Sequence, residues 1–103
     1  MLRGVIVTFD ADLWLWDARK SESWTFVSVP EAISEEIQEI TEGARRGFGS
    51  VRVIVTVGAT VWRTSIFPSA EGCYVLPIKR AVRKAEALDV GGTATVMIEL
   101  VDF

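Results

Sequence analysis

The fold is decided by residues 56–88, TVGATVWRTSIFPSAEGCYVLPIKRAVRKAEAL, which predict several elements in one continuous piece. Gly58 supplies a turn between two β-rich runs, so the stretch begins as a hairpin. A loop is expected over residues 68–72, followed by a short strand over residues 73–76. Pro77 is expected to be the first residue of a helix, because that position needs no backbone N–H. The predicted order is therefore strand, turn, strand, loop, strand and helix.

The strands outside this stretch are predicted from alternating polarity. Residues 5–16 alternate and indicate one long strand, while residues 24–29 form a second that ends at Pro30. A polar turn is expected between them, over residues 17–23. Residues 51–57 alternate most clearly and predict a half-buried strand that leads into the hairpin.

The two helices are predicted from apolar side chains at helical spacing. The first is expected over residues 31–42, with Gly43 as its C-terminal cap and a glycine-rich basic loop behind it. The second follows Pro77 and ends before a glycine turn, after which residues 93–101 form the closing strand. The side chains expected to face the core are Ile33, Ile37, Ile40 and Ala44 in the first helix and Ile78, Ala81, Val82 and Ala85 in the second.

The composition predicts one small globular domain, residues 1–103, with a hydrophobic content of 50%. The apolar runs are too short to span a bilayer and no signal-peptide pattern leads the chain, so we expect a cytoplasmic protein without membrane contact. Cys73 is the only cysteine, which leaves no internal disulfide and fits a reducing compartment. A monomer is favoured. The formal charge of −3 repels nucleic acid unless basic residues cluster locally.

Three motifs stand close together: W-x-T-S-I-F-P at residues 62–68, G-x-Y-x-L-P at 72–77 and K-R-A-V-R-K-A at 79–85. With them the chain resembles the bacterial family catalogued as domain of unknown function 1905, over nearly its whole length. The resemblance implies a small double-split pseudobarrel capped by two helices, as in certain transition-state regulators and antitoxins, and it implies no known activity. The chain departs from the family at Gly91-Gly92, where Gly-Asp is usual, which removes a side-chain acceptor that could fix this turn.

Asp10 and Asp12 share one strand face about 6.8 Å apart, a separation that an acid–base pair or a cation site could use. The chain has no histidine, and no third carboxylate or glycine-rich loop lies near them in the sequence. A solubilising role on the wet face of the strand is therefore favoured over catalysis or metal binding. No catalytic residue, metal ligand or cofactor is predicted, and a non-enzymatic role is favoured.

A small anionic ligand is the second possibility. Arg63, Thr64 and Ser65, with Tyr74 and Lys79 further on, could surround such a ligand at the start of the second helix. However, threonine and serine on a strand usually form local hydrogen bonds, and a buried tyrosine usually finds one partner for its hydroxyl. A structural role is favoured for these residues.

The four tryptophans are the largest side chains in the chain and could stack on bases or on a ligand. In so small a protein they are expected to fill the core instead. Alternation places Trp14 and Trp16 on the polar face of the first strand, so we expect a helix or loop to cover one or the other. The other two are Trp24 and Trp62.

The basic face of the second helix is the best functional feature of the sequence. Lys79, Arg80, Arg83 and Lys84 form two like-charge pairs at i, i+4, which repel each other and would accept an anion. A simply solvated face, or one balanced by the acidic first helix, is the alternative explanation.

The sequence therefore predicts a mainly β fold, a closed or nearly closed barrel of six or seven strands capped by two helices. The expected function is a non-enzymatic binding or interaction module, whose partner is an acidic protein or a small anionic ligand. Its contact surface is expected on the basic helix and the strand of Arg63 to Ser65. Two alternatives remain: a nucleic-acid-binding regulator by analogy with double-split folds, although specific nucleic-acid binding is not expected, and a small-molecule-binding protein or enzyme with a pocket near Trp62, Tyr74 and Lys79.

Overall fold

Seven strands and two helices make up the fold in the residues that the computed structural model describes, 5–19, 22–42 and 49–101. The strands are β1 (Ile6–Asp12), β2 (Trp14–Arg19), β3 (Glu22–Ser28), β4 (Val51–Val57), β5 (Thr60–Pro68), β6 (Tyr74–Pro77) and β7 (Thr93–Leu100). The helices are α1 (Glu31–Thr41) and α2 (Arg80–Ala85). The predicted mainly β class with two helices is confirmed. No helix in the described ranges is long and apolar enough to cross a membrane.

The strands form one antiparallel sheet in the order β1-β7-β4-β5-β6-β3-β2, curved into an open half-barrel. The expectation of a closed barrel is therefore corrected. Closure would need a ladder between the edge strands β1 and β2, and the described residues form none. These two strands follow each other end to end through Leu13, whose N–H donates to the Gly92 carbonyl at 2.8 Å. The single long strand predicted over residues 5–16 is thus divided between the two edges of the sheet.

The hairpin between β4 and β5 forms as predicted. Val57 lies opposite Thr60, and Gly58 takes a positive φ of 59° in the two-residue turn between them. The Glu86 carboxylate, just after α2, approaches this turn so closely that a side chain on Gly58 would collide with it. The same carboxylate accepts a hydrogen bond from the Thr60 hydroxyl at 2.5 Å. This contact fixes the end of α2 against the hairpin.

The core lies on the inner face of the half-barrel. On β4 every second residue is a buried valine, and β7 buries alternate residues in the same way. Because successive side chains of a strand point to opposite faces, the other half of each strand must face outward. The outer face of the sheet therefore carries a different set of side chains from the inner face.

Helix α1 packs on the inner face through Ile37, which is fully buried. The predicted stripe is partly wrong, since Ile40 is 39% exposed while Ser34 and Thr41 are buried in its place. The Ser34 hydroxyl donates to the Val29 carbonyl and accepts from the Tyr74 N–H, both at 3.1 Å. These two bonds set the rotation of the helix. The predicted cap at Gly43 and the expected contact of Ala44 lie outside the described residues.

The start of α2 differs from the prediction. Pro77 is the last residue of β6 and lies opposite Phe26, so it does not open the helix. The sheet bonding continues one residue further, because the Ile78 N–H donates to the Thr25 carbonyl at 2.8 Å. The helix begins only at Arg80, and its one buried residue is Val82. Ala81 and Ala85 are exposed, contrary to the predicted stripe.

Strands β2 and β3 extend into the segment that was expected to be a polar turn. Their bounds leave only residues 20 and 21 between the strands, where a polar turn over residues 17–23 was predicted.

The turn before β7 is held by backbone bonds to Leu13, whose carbonyl accepts from the Gly91 N–H at 2.8 Å. Gly91 has a φ of 91°, which favours glycine. Backbone hydrogen bonds thus hold this turn, in which Gly91 and Gly92 offer no side-chain acceptor.

Candidate functional site

The outer face of β2, β3 and β6 carries a group of aromatic side chains. Trp14 lies opposite Phe26 and Trp16 opposite Trp24, while Phe26 also lies opposite Pro77 on its other side. Their strand neighbours Thr25, Val27 and Leu76 are buried on the inner face, so these rings must point outward. Together they form a cleft of about 450 Å³, here called the aromatic cleft, lined by Trp14, Trp16, Trp24, Phe26, Phe67, Ser69, Val75 and Pro77.

The rings of the aromatic cleft are held in a fixed arrangement around Phe26. The Trp24 ring stacks on Phe26 with centroids 6.2 Å apart and planes inclined by 13°, and the Trp14 ring lies 5.1 Å from Phe26. The Trp14 Nε1–H donates to the Ser28 hydroxyl at 3.0 Å, which orients that indole. A planar group entering the cleft would therefore meet rings that are already positioned.

The prediction that the tryptophans fill the core is wrong for Trp16 and Trp24. They are 47% and 54% exposed, and Trp14 is half-buried on the outer face. No covering helix or loop removes them from solvent in the described part of the chain. Trp62 alone fits the expectation, since it is partly buried and packs against the core.

The basic residues of α2 lie directly beside the aromatic cleft. Lys79, Arg80 and Arg83 line a second cleft of about 430 Å³, here called the basic cleft, whose wall also includes Trp24 and Pro77. The extended conformation of Lys79 and the late start of the helix bring these cations toward β3. The Arg83 guanidinium donates to the Ile78 carbonyl at 2.8 Å, which holds it in place. Three of the four predicted basic residues are therefore brought together next to exposed rings.

Lys84, the fourth predicted basic residue, points elsewhere. It lines a separate concavity with Leu88 and Asp89, and only Arg80 and Arg83 are shared with the basic cleft. In the described part of the chain, Lys79, Arg80 and Lys84 form no ion pair with a carboxylate. These three cations of α2 therefore contact no glutamate of α1 among the residues described.

The predicted strand of Arg63 to Ser65 lies on the other side of the aromatic cleft. Arg63, Thr64 and Ser65 line a cleft of about 350 Å³ together with Arg52, which lies opposite Ser65 on β4. We call this the arginine cleft. Phe67 belongs both to its wall and to that of the aromatic cleft. The structure thus separates this strand from the basic helix and places the rings between them.

Tyr74 and Trp62, two of the predicted binding residues, face inward. Tyr74 is only 1% exposed, and its hydroxyl is buried without a hydrogen-bond partner. The Trp62 Nε1–H is also buried without a partner. Lys79, which was expected to join them, is exposed. Tyr74 therefore belongs to the core, although its hydroxyl lacks the partner that a buried tyrosine usually has.

Asp10 and Asp12 lie on the outer face of β1, where each accepts a hydrogen bond across the ladder. The Thr95 hydroxyl donates to Asp10 at 2.7 Å and the Thr93 hydroxyl donates to Asp12 at 2.5 Å. Both bonds are exposed. Over the described ranges, no group of three or more cysteine, aspartate or glutamate side chains could hold a metal ion. The two carboxylates are thus engaged in local hydrogen bonds on an exposed strand face.

The aromatic cleft was missed in the sequence, although part of its signal was present. Alternation along residues 5–16 placed Trp14 and Trp16 on the face of Asp10, which is the outer face. What the sequence did not provide was the register that sets Trp16 opposite Trp24. That register is a long-range property of the β2–β3 pair.

The sequence comparisons give one family and no individual relative. The profile of the family described as Domain of unknown function (DUF1905) matches residues 9–98, which cover most of the chain. A search of curated proteins found no match. The matched range includes every residue of the aromatic and basic clefts.

Proposed function

The chain belongs to the DUF1905 family, and we propose that it is a non-enzymatic binding module for an organic anion that carries a flat ring. The contact surface is the aromatic cleft joined to the basic cleft. The observation that carries this proposal is the sharing of Trp24 and Pro77 by the two clefts, which places exposed rings and cations within one continuous surface. A ring would stack in the first cleft while its anionic group meets Lys79 and Arg80.

The exposure of these rings supports the proposal. Leaving Trp16 and Trp24 in water forgoes the stabilisation that their burial would give, about 25 cal/mol for each Å² of apolar surface. Contiguous exposed apolar surface of this kind marks binding sites in soluble proteins. The volume of about 450 Å³ lies in the range of small-molecule sites, about 300 to 1,000 Å³.

An acidic protein partner is the second candidate, since the basic face of α2 alone would suit one. The concave aromatic wall favours the smaller ligand, because a protein that binds through charge alone gains little from a cleft lined by rings.

We further propose that the half-barrel is of the double-split type and that the protein is a cytoplasmic monomer. The resemblance carried by the motifs of residues 62–85 supports the first, and the lone Cys73 fits the reducing conditions of the cytoplasm.

The test uses two fluorescent probes of similar shape and different charge. Anilinonaphthalene sulfonate has flat rings and one negative charge, and phenylnaphthylamine lacks the charge. Trp24→Ala should weaken binding of both probes, because one stacking contact contributes about 1 to 3 kcal/mol, or roughly 5- to 150-fold in Kd. Lys79→Ala with Arg80→Ala should weaken only the anionic probe, by about two- to fivefold for each cation.

The matched control is Val61→Ala, which removes an exposed apolar side chain from β5 outside the three clefts. It should leave both affinities unchanged. Equal effects of Trp24→Ala and Val61→Ala would show that the probes bind at no particular place and would overturn the proposal. Loss of the neutral probe on removal of the cations would show that the substitutions disturb the cleft itself.

A further inference from the structure

The three clefts form a continuous series along the outer face. The arginine cleft shares Phe67 with the aromatic cleft, and the aromatic cleft shares Trp24 and Pro77 with the basic cleft. The order along the surface is therefore cations, rings, cations. We propose that this series, here called the track, binds single-stranded nucleic acid, an inference that rests on the proposed function and names its ligand class.

The alternation on the track matches the chemistry of a single strand. Each nucleotide carries a flat base and an anionic phosphate, and proteins that bind single strands combine stacking rings with a basic groove. The aromatic cleft provides the rings, held in place around Phe26. Arg63 on one side and Lys79 with Arg80 on the other provide positive charge for phosphates on both sides of a stacked base. A ligand with a single anionic group would use only one of the two sides.

The walls of the track carry no carboxylate in the described residues. Glu99 faces outward beside Ile54, which lies opposite Arg63, and Asp89 lines the neighbouring concavity with Arg80 and Arg83. Among the described residues, no aspartate or glutamate lines any of the three clefts, although the formal net charge is −3. Helix α1 carries five exposed glutamates on or next to it, and it packs on the inner face through Ile37. The track lies on the opposite face of the sheet. Asp10 and Asp12 lie at the β1 edge, engaged with threonines. Local charge therefore favours a phosphate backbone despite the net charge.

The rings also predict a preference for single strands over duplexes. In a duplex the faces of the bases are covered by their neighbours, so a base must be unstacked before an indole can contact it. Thymidine or uridine oligonucleotides present unpaired bases directly. The exposed Trp16 and Trp24 can then contact a base without that energetic penalty.

The experiment measures fluorescence anisotropy of labelled thymidine and uridine oligonucleotides of about twelve residues, a length within the usual site size. A thymidine–adenosine duplex of the same length is measured beside them. The single strands should bind at least about tenfold more tightly than the duplex, a difference of about 1.4 kcal/mol. Equal or tighter binding of the duplex would overturn the proposal. The two sugars distinguish DNA from RNA, and binding of either one supports it.

The decisive variants are Arg63→Ala and Lys84→Ala, which remove the same charge. Arg63 lines the track, whereas Lys84 lines none of its three clefts. Arg63→Ala should weaken oligonucleotide binding about two- to fivefold and reduce the slope of log K against log salt by about 0.7 between roughly 50 and 200 mM. Lys84→Ala should change both the oligonucleotide affinity and the salt slope by less than Arg63→Ala does. Equal effects of the two variants would mean that binding depends on net charge alone and would contradict the track.

Two further measurements separate this inference from the proposed function. Arg63→Ala should leave the affinity for anilinonaphthalene sulfonate unchanged, because that probe occupies only the aromatic and basic clefts. Thymidine monophosphate should displace the probe more weakly than the oligonucleotide does. If the probe binds in a Trp24-dependent manner but the oligonucleotide neither binds nor displaces it, the nucleic-acid inference is wrong and the proposed function stands. If the probe shows no dependence on Trp24, the proposed function fails.

Discussion

The outer face of the sheet carries polar side chains at one end and aromatic side chains at the other. At the β1–β7 end, Asp10 and Asp12 accept hydrogen bonds from threonines directly across the ladder. At the β2–β3–β6 end, tryptophan and phenylalanine occupy the equivalent outward positions, and Trp24 is 54% exposed. Both ends obey the same alternation of inward and outward side chains.

The difference shows what the fold requires and what it does not. The polar end demonstrates that outward positions of this sheet can carry solvated side chains joined by hydrogen bonds. We therefore expect that the half-barrel can form without the rings at the other end, which remain partly in water. Exposed rings of this kind support the proposed binding role, because contiguous exposed apolar surface often marks an interaction site.

The largest expected effect tests whether stability comes from the inner face alone. Leu76→Ala on β6 removes a fully buried side chain and should lower the free energy of unfolding by about 2 to 5 kcal/mol. Trp24→Ala on the outer face removes a larger side chain but should cost only about 1 kcal/mol, mainly the stacking on Phe26. Urea denaturation followed by circular dichroism measures both.

Val75→Ala is the control for position, because Val75 neighbours Leu76 on β6 and lines the aromatic cleft. It should cost less than half of the Leu76→Ala effect. A loss of more than about 3 kcal/mol in Trp24→Ala, comparable to a core aromatic truncation, would show that the aromatic cleft is structural after all.

The next effect concerns the two hydrogen bonds of the buried Ser34 hydroxyl. Ser34→Ala removes the hydroxyl that bonds the Val29 carbonyl and the Tyr74 N–H, and both groups are then buried without that partner. The expected loss is about 1 to 3 kcal/mol, the cost of a buried unsatisfied polar group. Thermal denaturation measures it, with Ser69→Ala as a control because the Ser69 hydroxyl is only partly buried. A loss no larger than that of the control would mean that α1 is held by Ile37 alone.

Local patterns predicted much of the fold. The valines of β4 recur at every second position, so their burial on one face required only the periodicity of a strand. Gly58 was identified because a glycine between two β-rich runs is a turn signal, and its positive φ agrees with that. Pro77 was misassigned because proline is tolerated both at a helix start and at a strand end, and its pairing with Phe26 is a long-range contact. The rotation of α1 depended in the same way on Ser34 and a strand forty residues away.

The candidate site was predicted only in part. The basic residues of α2 were found because charge clusters are visible in the sequence itself. The rings beside them were assigned to the core, since a large aromatic side chain is more often buried than exposed. The division of residues 5–16 at Leu13 sends Trp14 and Trp16 to the far edge of the sheet, and that depends on backbone bonds to the turn at Gly91. Such distant bonds leave no local pattern.

A smaller effect is expected at the polar end. Asp10→Ala removes an exposed hydrogen bond to Thr95 and should cost about 0.5 to 1 kcal/mol. It should leave the affinity for anilinonaphthalene sulfonate unchanged, because β1 lies at the opposite edge of the sheet order from β2. The same urea and fluorescence measurements apply. A change in probe affinity comparable to that of Trp24→Ala would contradict the assignment of ligand binding to one end.

The smallest effect is expected on the stability of the basic helix itself. Arg80→Glu with Lys84→Glu places carboxylates beside Lys79 and Arg83, which relieves like-charge repulsion on an exposed face. No carboxylate of the described residues pairs with Arg80 or Lys84, so no ion pair is lost. The melting temperature should therefore stay within about 4 °C of the original protein, less than about 1 kcal/mol for a domain of this size. Affinity for anilinonaphthalene sulfonate should fall, because Arg80 lines the basic cleft. A large drop in melting temperature that Glu35→Lys with Glu39→Lys restores would show instead that the two helices neutralise each other, and the cations of α2 would then serve the fold rather than a ligand.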